Sequence, residues 1–187
     1  SLLAKLVITY SDGSEEVITT NPDWKYNDDG PIVYSSFFQG EVYDATKESD
    51  IQGWSTSDFD DTHWEEADTV PLDQTTTAGN LDYQNMELTG QVGDNATIVK
   101  TLTAVDVKEV RPGVYVYDMG QNMVGVPKIN LPNGKEGQKI TMRFAEVLYP
   151  DLPEYKDNAG MIMQENLRAA LIQDTYVAKE GKQVIEP

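Results

Sequence analysis

The chain has 187 residues, 39% of them hydrophobic, enough for one large β domain or two small ones with packed cores. Its 14 Lys and Arg stand against 32 Asp and Glu, a net charge of −18 that repels phosphate and argues against a nucleic-acid partner. It has no cysteine, which excludes disulfides, thiolate catalysis and zinc–sulfur centres.

The chain opens in strand texture. Residues 3–10, LAKLVITY, carry Leu3, Leu6, Ile8 and Tyr10 as apolar markers among polar residues. Asp12-Gly13 is a strong two-residue hairpin signal, because glycine accepts the positive φ the turn needs, and EEVITT (15–20) returns as the partner strand. NPDW (21–24) and DDGP (28–31) read as turns, and IVYSSFF (32–38) as a further strand followed by GEVYDATKE (40–48). Residues 49–70 change character. Trp54, Phe59 and Trp64 sit among Asp, Ser and Thr at spacings that fit neither helix nor strand. They predict an irregular loop pinned by aromatics, with SDFDD (57–61) offering one short helical turn capped by Ser57.

Residues 71–100 read as a connector with edge strands, and strand character returns at 96–110. RPG (111–113) turns the chain. Residues 114–120, 123–131, 138–148 and 173–181 read as strands, with PNGKEG (132–137) a hairpin loop. Only MIMQENLRAALIQ (161–173) has helical composition. The predicted fold class is all-β, two β-sandwich units with about 11–13 strands. A chain that starts inside a strand and stops just after another looks cut from something longer. No apolar run approaches the roughly 18–20 residues that span a bilayer, and no charged-then-apolar leader opens the chain, so no membrane partner is expected.

Few residues carry the marks of chemistry. His63 is the single histidine and lies beside Trp64 in a loop, so a multi-histidine metal site is excluded and a packing or solvent-facing role is the plainer reading. No phosphate-cradling glycine motif is present. Glycoside hydrolysis needs two carboxylates, and Glu41, Asp44, Asp118, Glu146 and Glu165 are candidates, but among 32 acids a pair arises by chance. No cofactor is expected. Calcium is the cation the oxygen-rich loops suit, through Asp58 and Asp60, although no EF-hand pattern is present. Aromatic faces meet the C–H faces of sugars while acids and amides read hydroxyls. On that chemistry Trp54, Asp60 and Trp64 are the first candidates for a sugar contact, with Glu41 and Asp44 of GEVYDA next. YDMGQNMVG (117–125) predicts a strand broken at Gly120, with Asp118 and Asn122 bonding backbone at the bend.

GVYVYDMGQNMVG, GQKITMRFAEVLYPD and ENLRAALIQDTYV together resemble the accessory β domain of bacterial α-L-rhamnosidases, glycoside hydrolase family 78. Upstream, LLAKLVITYSDGSEEVITTNPDWK, GPIVYSS, GEVYDA and GWSTSDFDDTHWEEA resemble the second half of that family's N-terminal β-sandwich. One departure stands out: where the family writes YDAR, Thr46 follows Tyr43-Asp44-Ala45. The resemblance implies a partial jelly-roll over 1–72, a connector over 73–95 and a concanavalin-like sandwich over 96–187. It implies no catalytic residue here, since catalysis in that family belongs to an (α/α)₆ barrel C-terminal to these domains. The expected function is a non-catalytic accessory fragment, with a carbohydrate-binding module for rhamnose as the alternative. The expected partners are that barrel, a rhamnose-containing glycan and a second copy pairing through exposed sheet edges. The expected compartment of the parent is the periplasm or the cell exterior, with the cytoplasm left open.

Overall fold

In the computed structural model, which describes residues 2–70 and 89–186, strands dominate and the helical pieces are short 3-10 turns, an all-β chain. The expected connector falls largely on 71–88, outside the described residues. By internal contact the chain divides into two units: Ser1–Asp28 with Gly53–Asn95, and Asp29–Gln52 with Ala96–Pro187. The division expected from the sequence followed chain order. Contact instead groups 29–52 with the later residues, because a strand at 40–44 pairs with one at 173–177.

In the first unit, β1 (Lys5–Thr9) and β2 (Glu15–Thr19) form the expected antiparallel hairpin, with Val7 opposite Val17. Its turn is made by residues suited to it. Gly13 takes φ +84, and the Asp12 carboxylate accepts from the Ser14 amide at 2.9 Å and its hydroxyl at 2.6 Å. A two-residue ladder joins β3 (Lys25–Tyr26) to β6 (Glu65–Glu66). Between them the 53–64 loop runs as turns rather than the expected helical turn at Ser57. It is held by Phe59 edge-on to Trp64 at 5.4 Å and by Lys25 Nζ on Asp61 at 2.9 Å.

The second unit carries the core. Four strands form one sheet in the order β10 (Lys139–Arg143), β11 (Gln173–Val177), β5 (Gly40–Asp44), β4 (Ile32–Ser36). Only the β11–β5 ladder is parallel, setting Tyr176 beside Tyr43. A separate antiparallel pair joins β9 (Ile129–Gly134) to β12 (Gly181–Ile185). Met142 and Tyr176 of the sheet, Ile185 of the pair, and Ala45 and Ala178 form one buried cluster, with Ile129, Leu131 and Ile140 packed on it. The apolar sides of the sheet and the pair therefore close on each other, the arrangement of a sandwich. A further hairpin, β7 (Asp106–Arg111) with β8 (Val114–Asp118), turns at Gly113 as RPG predicts.

The expected hairpin at 132–137 is corrected. The strand runs on through Gly134, and β10 pairs with β11 rather than with β9. Pro132 is tolerated because the β9–β12 register shifts beside it, where an amide is not needed. The chain thus passes from one layer to the other twice, after β9 and after β11. The two corners are tied by Gly137 N to Ala178 O at 2.9 Å and Ala178 N to Gln138 O at 2.8 Å. The Gln183 amide fills the space between them. Its oxygen accepts from Tyr176 Oη at 3.1 Å and Lys179 N at 3.0 Å, and its nitrogen donates to Lys179 O at 2.7 Å and Gly181 O at 3.0 Å.

The helix expected over 161–173 is also corrected: only Glu165–Leu167 is helical, as one 3-10 turn. Met161 and Met163 exchange backbone bonds with Tyr149 and Val147 at 2.9 Å each, a pairing that takes the groups a helix would use. Ala45–Ile51, for which the sequence raised no helical expectation, is a 3-10 helix capped by Asp44.

Candidate functional site

The residues singled out for a sugar contact fall in different units. In the first, Trp54 is exposed, Trp64 is half-buried against Phe59, and Asp60 is exposed. Asp60 Oδ1 accepts from the Thr62 amide at 3.1 Å and hydroxyl at 2.7 Å, and the Thr62 bonds hold its carboxyl below the usual range. Trp64 keeps one face on the loop's own aromatic, and its indole N–H is buried without a partner among the described residues. In the second unit, Asp44 Oδ1 accepts from the Thr46 amide at 3.0 Å and hydroxyl at 2.6 Å. The threonine that departs from YDAR is therefore what occupies Asp44. The carboxylates of Asp12, Asp44, Asp60 and Asp118 all do the same work, closing a turn two residues ahead. At the opening of YDMGQNMVG, Asp118 Oδ1 takes the Gly120 amide at 2.7 Å, and Gly120 at φ +74 sits against Val105. Asn122 makes no side-chain bond with a described residue, so the bend is held by the acid and not by the amide.

Glu41 has a different setting. It faces a small cleft of about 140 Å³ at the end of the core, shared with Tyr43, Glu48, Asp174, Tyr176 and Glu186. Burial raises the Glu41 carboxyl above its ordinary range, and the negative charge of Asp174 adds to the effect. Asp174 in turn accepts the Glu41 backbone amide at 2.8 Å. Burial, with the charge of Glu48 behind it, pushes the Tyr43 hydroxyl up to about 12, so it stays protonated and donates to Glu48 Oε1 at 3.1 Å. The Tyr43 and Tyr176 rings stack parallel at 5.6 Å, each covering a face of the other. Lys179 closes the group through an ion pair to Glu48.

A larger cleft, about 510 Å³, lies elsewhere in the same unit. Arg111, Arg143 and Arg168 line it together with Gln39, Asn158 and Glu165. Sequence reasoning passed over these arginines, and no local motif marks them. The only signal was that they are the chain's complete set.

Size and charge decide what each cleft can do. Small-molecule sites usually enclose about 300–1,000 Å³. The cleft rich in carboxylates, at about 140 Å³, falls below that range. The one large enough has a single carboxylate, Glu165, which already accepts from Tyr149 Oη at 2.9 Å. Cleavage of a glycosidic bond by the usual route needs two. Asp118 and Glu146 line neither cleft. Among the described residues, no three His, Asp or Glu side chains gather as a metal site, and no helix is long and apolar enough to cross a membrane.

Residues 1–88 match the alpha-L-rhamnosidase N-terminal domain, and residues 108–187 match the bacterial alpha-L-rhamnosidase concanavalin-like domain. The chain is 38% identical to an alpha-L-rhamnosidase of Streptomyces avermitilis over 188 aligned positions, covering 100% of the chain and 16% of that relative. It is 39% identical over 180 positions to one from Alteromonas sp. (strain LOR), covering 96% of the chain and 17% of the relative. A third, from Formosa agariphila, is 33% identical over 183 positions, again 96% of the chain and 17% of the relative. No solved structure matches.

Proposed function

Because the chain belongs to the bacterial alpha-L-rhamnosidase family, as its N-terminal and concanavalin-like domains, we propose that it is a non-catalytic accessory part of an enzyme cleaving terminal α-L-rhamnosyl bonds. The observation that carries this reading is the coverage. Two accessory domains in their family order account for nearly the whole chain, which spans 16–17% of the relatives' length. The clefts point the same way, since neither joins adequate volume to a free carboxylate pair. In the intact enzyme the sandwich would brace the catalytic portion, its partner within the same protein.

A second reading, a rhamnose-binding module, is favoured by the exposed indole of Trp54, an aromatic face open to solvent. Titration calorimetry with L-rhamnose, with and without Ca²⁺, separates the two. Bracing predicts no saturable heat at millimolar sugar in either condition. Saturable heat that a Trp54→Ala substitution removes would establish the module instead.

A further inference from the structure

The three arginines of this acidic chain all line the 510 Å³ cleft, and none forms an ion pair with a described residue. The four ion pairs among the described residues all use lysine: Lys25, Lys47, Lys128 and Lys179. Arginine's planar fork is the better partner for a carboxylate, and this chain has 32 acids to offer it. Yet Arg111 donates to the Asp157 carbonyl, Arg143 Nε to Gln173 Oε1 at 2.8 Å, and Arg168 to no described residue. The cleft lining thus holds three arginines and one carboxylate residue, Glu165, a local reversal of the sign of the whole chain.

The backbone at Arg168 adds an independent mark. It holds φ 60 and ψ −120, and Ala170 N bonds Leu167 O at 3.2 Å across it. This is the first central position of a type II′ turn, where glycine is the residue of least strain. A long side chain kept in such a conformation is a pointer to function.

We propose that this cleft binds a carboxylate carried on a hydroxyl-rich ligand, the uronic acid unit of a glycan, with Arg168 as the principal anion-binding group. A planar carboxylate fits a guanidinium fork through two parallel bonds. Asn158, Gln39 and the Glu165 carboxylate at the same cleft supply partners for sugar hydroxyls. Choosing a sugar as the carrier rests on the function proposed above. The preference for an oxyanion rests on the arginines alone.

The test is calorimetric titration of the 187-residue chain with sodium D-glucuronate at low salt, with D-glucose and sodium sulfate as comparisons. Saturable heat is expected from glucuronate and none from glucose. Arg168→Gly should weaken glucuronate binding about tenfold or more, the worth of a charge-assisted bond pair. The same variant should raise the thermal midpoint, because glycine relieves the turn, so weaker binding cannot be put down to unfolding. Arg168→Lys, which keeps the charge and loses the fork, should fall between. Silence with glucuronate, equal heat from glucose or sulfate, or unchanged binding in Arg168→Gly would overturn the assignment. None of those results touches the bracing reading, which stands or falls on the L-rhamnose titration.

Discussion

Gly40→Ala is expected to destabilise the second unit by about 3–5 kcal/mol, near the top of the range for single substitutions. Two costs combine. Gly40 holds φ +94, where a side chain is strained, and its Cβ would lie 2.2 Å from the Gln173 carbonyl oxygen and 2.6 Å from its carbon. Backbone cannot swing aside as a side-chain tip can. This backbone also anchors the parallel contact of β5 with β11, since Ile172 N bonds Phe38 O and Gln173 N bonds Gln39 O at 3.2 Å each. For a chain of this length the expected fall in midpoint is about 10 °C. Gly113→Ala is the comparison. Gly113 has φ +75 but open space around its Cβ position, so only the conformational cost of about 1–2 kcal/mol applies. Equal losses in the two variants, measured by thermal unfolding, would show that the close approach at Gly40 contributes nothing.

Gln183→Leu should cost about as much, by a different mechanism. The volume is nearly kept, but the hydroxyl of Tyr176, the amide and carbonyl of Lys179 and the carbonyl of Gly181 lose their partner. Each polar group left unpaired out of water costs about 1–3 kcal/mol, and Gln183 is only 6% exposed. The buried cluster has few members, so the apolar term that could absorb this is small. A Cβ at Gly134 would stand 2.2 Å from Gln183 Nε2 and 3.0 Å from the Gly181 carbonyl oxygen, so a side chain there would push the amide off its bonds. Denaturant unfolding should show a loss of about 3–4 kcal/mol, with faster amide exchange at Lys179. A loss under about 1 kcal/mol would mean that the amide is ornamental to the corner.

Local chemistry made part of this fold legible. Asp12-Gly13 names its own turn, and RPG closes β7 on β8. What escaped was set by distant partners. The stretch 161–173 is composed like a helix, but residues 147–149 claim its backbone and Arg168 reverses it. The β5–β11 ladder joins residues about 130 positions apart, and parallel pairing leaves no turn signal to read. The hold of Asp118 on its bend was legible, while the use of Asp12, Asp44 and Asp60 as turn caps depended on the Ser or Thr two residues on. Asp44 shows this best, because the Thr46 that breaks the family spelling is the group that engages it. The arginine cleft escaped for the opposite reason: its three members lie far apart in sequence and no spacing rule connects them.

Four of the chain's carboxylates, Asp12, Asp44, Asp60 and Asp118, are thus spent on turn geometry, and the proposed function leaves none to catalysis. The measurement that tests this most directly is turnover of an aryl α-L-rhamnoside by the purified 187-residue chain, followed to high enzyme concentration. The predicted result is release indistinguishable from the buffer blank. Release proportional to protein concentration and abolished by Glu41→Gln or Glu165→Gln would contradict it, and would place catalysis inside the N-terminal and concanavalin-like domains.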